Sequence, residues 1–147
     1  MNALEFRDVS FSYPATDTEP NPAPVLEHVS LAVPEGAFAL LTGSTGSGKS
    51  TLLRLAKPEV SPTGTLVGNV LAFGKDVRKF SPVESAQTVG LVFQNPDSQI
   101  VCDTVWHEMA FGLENLGTPV SEMRRRVAET PGGKGALGFL TAQQFCK

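Results

Sequence analysis

Cysteine and histidine are scarce in this 147-residue chain, which has only Cys102, Cys146, His28 and His107. The cysteines form no C-x-x-C pair and stand beside no metal-spaced histidine, so reduced thiols are expected rather than a disulfide framework or a zinc site. A surplus of charge is missing too. The net charge of −3 and pI near 5.3 give no basic field for nucleic acid or for an anionic membrane surface, and any partner must be recognised locally. No apolar run approaches the roughly 18 residues needed to span a bilayer, and no charged-then-apolar leader opens the chain. A cytosolic protein is expected, reaching a membrane only through a protein partner. No internal repeat is visible, and 41% hydrophobic residues suffice for one sizeable core.

What the chain does have is a stretch rich in glycine and small hydroxyl residues: Gly43, Ser44, Thr45, Gly46, Ser47, Gly48, Lys49, Ser50 and Thr51. It fits the phosphate-binding pattern G-x-x-x-x-G-K-[S/T], which a chain of this length matches by chance on the order of once in a few hundred sequences. Glycines 43, 46 and 48 lack a Cβ, so the backbone can turn its N–H groups inward around a phosphate. The start of the following helix favours the same anion. Lys49 can reach the β- and γ-phosphates as a mobile charge, and the Ser50 hydroxyl can take one position on Mg²⁺. The apolar run from Ala37 to Thr42 reads as a strand leading in, and Thr51 to Ala56 as a helix leading out.

Taken in order, Ala3 to Tyr13 reads as a strand or bent strand pair and Pro14 to Pro24 as a proline-rich surface loop. Val25 to Val33 reads as a strand with Val29, Leu31 and Val33 on one face. Lys57 to Leu66, with Pro58, Pro62 and Gly64, cannot hold regular structure for long, and Gly68 to Phe73 reads as a further strand. Ser81-Pro82-Val83-Glu84 predicts a capped helix start, and Thr88 to Phe93 a buried strand. Asp103 or Thr104 caps a helix through Leu116, ended by Gly117, and Ser121 caps another. Residues 131–147 lose all pattern, with glycine at 132, 133, 135 and 138.

These residues carry a family resemblance. The sequence resembles the nucleotide-binding subunit of ATP-binding cassette (ABC) transporters, within them the energy-coupling-factor or cobalt-type importers. Phe11-Ser12-Tyr13-Pro14 looks like that family's A-loop, Gly43 to Thr51 like its Walker A loop, and Val92-Phe93-Gln94-Asn95-Pro96-Asp97-Ser98-Gln99 like its Q-loop. The resemblance implies an α/β P-loop NTPase fold that binds ATP and Mg²⁺. Tyr13 would stack on adenine, against the plainer reading of a strand-end tyrosine. Gln94 would join Ser50 at the metal and approach the attacking water. Residues Gln99 to Phe111 would meet the transmembrane subunit of an importer, with Trp106 and Phe111 either filling a partner groove or packing in the chain's own core. A second ATP-binding subunit would complete the assembly, peripheral on the inner face of the membrane.

The resemblance runs from Ala3 to about Thr130. No Leu-Ser-Gly-Gly-Gln signature, Walker B strand ending in Asp-Glu, or switch histidine follows, so the reading is a partial ATP-binding domain over 1–130, truncated before those motifs, with an atypical, frameshifted or disordered tail over 131–147. ATP binding without appreciable hydrolysis is the expectation; turnover would require an unassigned base such as Glu108 or Glu114. The alternatives are a non-functional truncated product and a small P-loop kinase or GTPase, which would need a substrate lid or base-reading motif not visible here.

Overall fold

The apolar residues of the first eleven positions change parity. Leu4 and Phe6 are even, Val9 and Phe11 odd, so an unbroken pleat would send two of the four to the wrong face. The computed structural model describes residues 1–18, 20–129 and the backbone of 139–140. In it one strand, β1 (Asn2–Ser12), resolves the conflict with a bulge. Its register slips between Phe6 and Val9 against one neighbour and between Arg7 and Ser10 against the other, and Asp8 takes a φ of 50°. All four side chains are thereby buried.

The first of two compact units, Met1–Val89, is built around this strand. Antiparallel β2 (Leu26–Pro34) and β3 (Thr65–Ala72) flank it, and β4 (Lys75–Asp76) extends the sheet in the order β2-β1-β3-β4. Val29, Leu31 and Val33 are the more buried set of β2, as their alternation predicts. Gly68, at φ 89°, stands against the bulge, where a Cβ would collide with the carbonyl oxygens of Arg7 and Asp8. Helix α1 (Lys49–Leu55) buries Thr51, Leu52 and Leu55, and a 3-10 turn at Pro58–Val60 follows it. Helix α2 (Pro82–Thr88) starts on the expected capping box: Ser81 Oγ accepts from the Glu84 N–H at 3.2 Å, and Glu84 Oε2 accepts from the Ser81 N–H at 2.9 Å. Fully buried Ser85 donates to Glu59 Oε2 at 2.7 Å while Lys57 Nζ donates to the Ser85 carbonyl at 3.1 Å.

The second unit, Gly90–Lys147, holds β5 (Gly90–Leu91), α3 (Val105–Asn115), α4 (Val120–Glu129) and the backbone of β6 (Phe139–Leu140), which pairs parallel with β5. Thr104 is the cap of α3, its Oγ1 accepting from the His107 N–H at 3.4 Å, and Gly117 at φ 70° follows the helix end.

The strand expected over Gly68 to Phe73 is β3, which begins earlier, at Thr65, because it pairs with β1 as far as Ser12, and three further elements differ from the sequence reading. The run from Ala37 to Thr42 forms no strand, and Phe38 and Leu40 are 78% and 67% exposed. An apolar run becomes a strand only when its N–H and C=O groups find a neighbour, and none is paired with it among the described residues. Of the strand expected from Thr88 to Phe93, Gly90–Leu91 is strand, paired with Phe139 and Leu140, while Thr88 ends α2. Helix α4 begins at Val120 with Ser121 inside it: the Met123 N–H already donates to the Pro119 carbonyl at 2.9 Å, and proline, which has no N–H to satisfy, serves at the helix entrance. Apart from the Phe139–Leu140 backbone, the atypical tail expected over 131–147 lies outside the described residues.

Candidate functional site

Two stretches singled out in the sequence of the first unit, Phe11 to Pro14 and Gly43 to Thr51, come together in space. β1 ends at Ser12 and β2 begins at Leu26, with the Val25 N–H donating to the Phe11 carbonyl at 2.8 Å. The phosphate loop reaches this same edge. A Cβ on Gly48, which has φ 84°, would lie 2.9 Å from Leu26 Cδ2 and 3.0 Å from the Val25 carbonyl oxygen, so only glycine lets α1 start this close to β2. Gly46 at φ 83° needs glycine for its backbone alone. A Cβ on Gly43, at φ 153°, would approach Ser47 Oγ at 3.0 Å and narrow the loop from inside.

Within the loop the Ser47 N–H donates to the Ser44 carbonyl at 3.3 Å, closing a tight turn that contains Thr45 and Gly46. The Lys49 ammonium donates to the Gly43 and Ser44 carbonyls at 2.8 and 2.7 Å and to Ser47 Oγ at 3.3 Å. All three ammonium protons are thus turned onto the loop's own rim, and the charge that would meet a phosphate is held in place by the residues that would wrap it. Gly48 caps α1 without a side chain, which leaves the first-turn N–H groups uncovered by any side-chain oxygen. Ser50 is exposed and next to Lys49. This donor set of amides, ammonium and hydroxyl, with no carboxylate in the loop, suits a polyphosphate. Among the described residues no cluster of three or more His, Cys, Asp or Glu could hold a metal.

Tyr13 stands over the start of α1. Its hydroxyl and Thr51 Oγ1 form a hydrogen bond of 3.1 Å in which either can donate, and its ring meets Phe11 edge-on, with centroids 5.2 Å apart and planes at 85°. It is 41% exposed. The structure thus brings Tyr13 together with the loop it was expected to serve.

Gln94 belongs to the second unit, exposed in the bend between β5 and the 3-10 turn Pro96–Gln99. Its bend is pinned by Gln99, whose Oε1 accepts from the Phe93 N–H at 2.8 Å and whose Nε2 donates to the Leu91 carbonyl at 3.4 Å. Glu108 does the same for the next stretch, one carboxylate oxygen accepting from the N–H groups of Val101 at 3.0 Å and Cys102 at 2.8 Å. Those amides, Cys102 first, hold the Glu108 carboxyl below the usual carboxylate range, which makes it an anchor and a poor base. The Cys102 thiol is pushed up by burial and by Glu108. Trp106 and Phe111 are exposed. With Thr104, His107, Val120 and Arg124, Trp106 borders an open groove of about 620 Å³.

The sequence points to Thr51, Gln99 and Glu108 but not to what they do here: the bond of Thr51 to Tyr13 and the grip of Gln99 and Glu108 on backbone amides. Thr51 is 38 residues from Tyr13 and nothing local couples them. For Glu108 the only signal is an acidic side chain in the first turn of α3.

Residues 26–134 match the ABC transporter family. The chain belongs to that family, as an ATP-binding domain. An energy-coupling factor transporter ATP-binding protein of Lactobacillus acidophilus is 39% identical over 142 residues, which cover 97% of this chain and 48% of that protein. A Bacillus anthracis protein named as a candidate ABC transporter ATP-binding protein is 42% identical over 125 residues, covering 85% of this chain and 22% of its own length. A Pyrococcus horikoshii protein named in the same way is 43% identical over 129 residues, 86% of this chain and 44% of that one. The ABC chain thus spans between about a fifth and about half of the length of these curated relatives. As a P-loop NTPase domain it has the mixed helix and strand content expected, and the antiparallel sheet of the first unit carries both Tyr13 and the edge against which the phosphate loop packs.

Proposed function

We propose that this chain binds Mg-ATP as the nucleotide-binding part of an ABC-type importer. The observation that carries the reading is the Lys49 ammonium, held on the rim of a loop in which Gly48 leaves no room for a Cβ. Gly43 to Thr51 would wrap the phosphates, Ser50 would offer its hydroxyl to Mg²⁺, and Tyr13 would carry the adenine. Gln94, by the resemblance of its segment to the Q-loop, would serve the metal and the attacking water. Import, of a vitamin or metal ion, is supported by the Q-loop wording and by the energy-coupling factor relative. The segment Gln99 to Phe111, with Trp106 and Phe111 exposed, would meet a transmembrane subunit, and a second ATP-binding subunit would pair with this one. No helix among the described residues is long and apolar enough to cross a membrane, which fits a peripheral place on the cytoplasmic face through that partner.

Chemistry needs a positioned water as well as a stabilised phosphate, and a site lacking one part loses orders of magnitude in rate. Lys49, Ser50 and Gln94 would hold phosphate and metal, and the carboxylate of Glu108, one of the two residues considered as a base, is engaged with two amides. The 147 residues are therefore proposed to bind ATP without appreciable turnover. Titration with labelled ATP should show Lys49→Ala weakening binding about tenfold or more, since a hydrogen bond to a charged group is lost. Ser50→Ala should weaken it only when Mg²⁺ is present. Unchanged affinity in both variants rejects the site, and phosphate release well above that of Lys49→Ala rejects the account of turnover.

A further inference from the structure

Tyr13 is the first residue beyond β1 and is followed by Pro14 and a long loop, a position where a side chain would ordinarily rotate freely. It does not have that freedom. Phe11, 1% exposed and fixed in the core, meets the ring edge-on, and Thr51, 7% exposed on α1, bonds its hydroxyl at 3.1 Å. A tyrosine whose hydroxyl merely faced water would need neither contact. Thr51 is two residues from Lys49, so its hydroxyl fastens the ring to the same turn that carries the phosphate-directed charge.

We infer that Thr51 is a positioning residue for base recognition: its hydroxyl holds Tyr13 as a preset platform beside the phosphate loop, so that the ring need not be ordered when a nucleotide binds. The inference rests on reading Gly43 to Thr51 as a nucleotide site, and it adds a division of labour within that site. The loop would set affinity for any polyphosphate, and the Tyr13–Thr51 bond would set the increment due to the base. Immobilising one such side chain on binding costs about 0.5–1.5 kcal/mol, which converts to a two- to tenfold change in affinity.

The test compares ATP with inorganic tripolyphosphate, which has no base, on the 147-residue chain with Mg²⁺ present. Tyr13→Phe keeps the ring and loses the hydroxyl; Thr51→Val keeps the shape and loses the partner. Each should weaken ATP binding about two- to tenfold, Tyr13→Phe should leave tripolyphosphate within about twofold, and the double variant should lose no more ATP affinity than the weaker-binding single one. Thr51→Ser should restore ATP binding. Because Thr51 is itself a loop residue, Tyr13→Phe decides if the Thr51 variants fold poorly. Parallel losses for both ligands in Tyr13→Phe would mean a merely structural bond and overturn the inference, as would additive losses or no loss for ATP. Wild-type chain that binds neither ligand overturns the nucleotide reading itself; wild-type chain that prefers ATP, matched by Tyr13→Phe, overturns only the positioning role.

Discussion

The two units are held together by different means. In Met1–Val89 the described core is a block of buried apolar side chains from three strands and α1, with Val9, Phe11 and Val70 almost wholly out of contact with water. In Gly90–Lys147 the buried apolar side chains among the described residues are Ala110 and Met123, and order comes from side chains that grip the backbone. Gln99 ties the end of β5, Glu108 collects two amides, Thr104 caps α3, and Arg125 on α4 pairs with Glu122 and Glu129. Burial is non-directional and scales with area, whereas each polar pin contributes about 1 kcal/mol net and depends on one geometry. The first unit should therefore fail all at once and the second piece by piece.

The largest effect expected from this contrast is in the sheet. Phe11→Ala deletes a ring that packs in the core, touches Tyr13 and lies at the β1 register with both Leu26 and Leu66. Such truncations cost about 3–5 kcal/mol, a large part of the 5–15 kcal/mol that keeps a typical domain folded. Chemical denaturation followed by circular dichroism should show the midpoint collapse, while Trp106→Ala, at an exposed position of the second unit, should shift it by no more than about 0.5 kcal/mol. Equal losses in the two variants would remove the distinction between a buried and a pinned unit.

An intermediate effect is expected at Glu108. Its carboxyl is held low by the Cys102 and Val101 amides, and that of Glu122 is held to about 2 by Arg125 and Arg126. A group whose folded value is depressed stabilises above its unfolded value and loses that contribution as pH falls through the folded one. The second unit should thus loosen on acidification from about pH 4.5 downward, toward about pH 2 for Glu122. At neutral pH, Glu108→Ala should speed amide exchange at Val101 and Cys102 several-fold and leave the β1 amides unchanged. Exchange at those two amides as slow as in the unaltered chain would show that Glu108 is not their anchor.

Where the signals were local, the sequence was informative. The Ser81 to Glu84 capping box, the Thr104 cap and the Gly117 stop each need only a few adjacent residues, and each stands where the spacing put it. What was hidden depends on partners far along the chain. The run from Ala37 to Thr42 has strand composition, yet a strand exists only with a neighbour to bond, and composition is silent on that. The parity change from Phe6 to Val9 was open to view, but whether it meant two strands or one bulged strand depended on Gly68 being small enough to stand against Asp8. The Tyr13–Thr51 bond and the Glu108 anchor are side-chain choices that only packing decides.

The smallest effect lies at the bulge, and it tests whether a polar pair matters where burial already suffices. His28 Nδ1 and Asp8 Oδ1 are 2.7 Å apart across β1 and β2, on side chains that are mostly exposed. The hydrogen bond and charge of Asp8 raise the His28 pKa above 6.5, with a smaller contribution from Glu27. A group whose folded value is raised stabilises fully below the unfolded value and loses that contribution as pH rises through the folded one, so the pair should help below about pH 6.5 and fade above the raised value. Being exposed, it should add little to stability at any pH and be screened by salt. Asp8→Asn is the appropriate probe, because asparagine tolerates the φ of 50° at this position and removes the charge without straining the bulge. Titration of the His28 ring by NMR should give a midpoint above 6.5 that drops in Asp8→Asn, with denaturation midpoints nearly superimposable. A fall in stability comparable to that of Phe11→Ala would mean that the bulge, and with it the burial of Val9 and Phe11, is held by this ion pair after all, and that the first unit too depends on a polar pin.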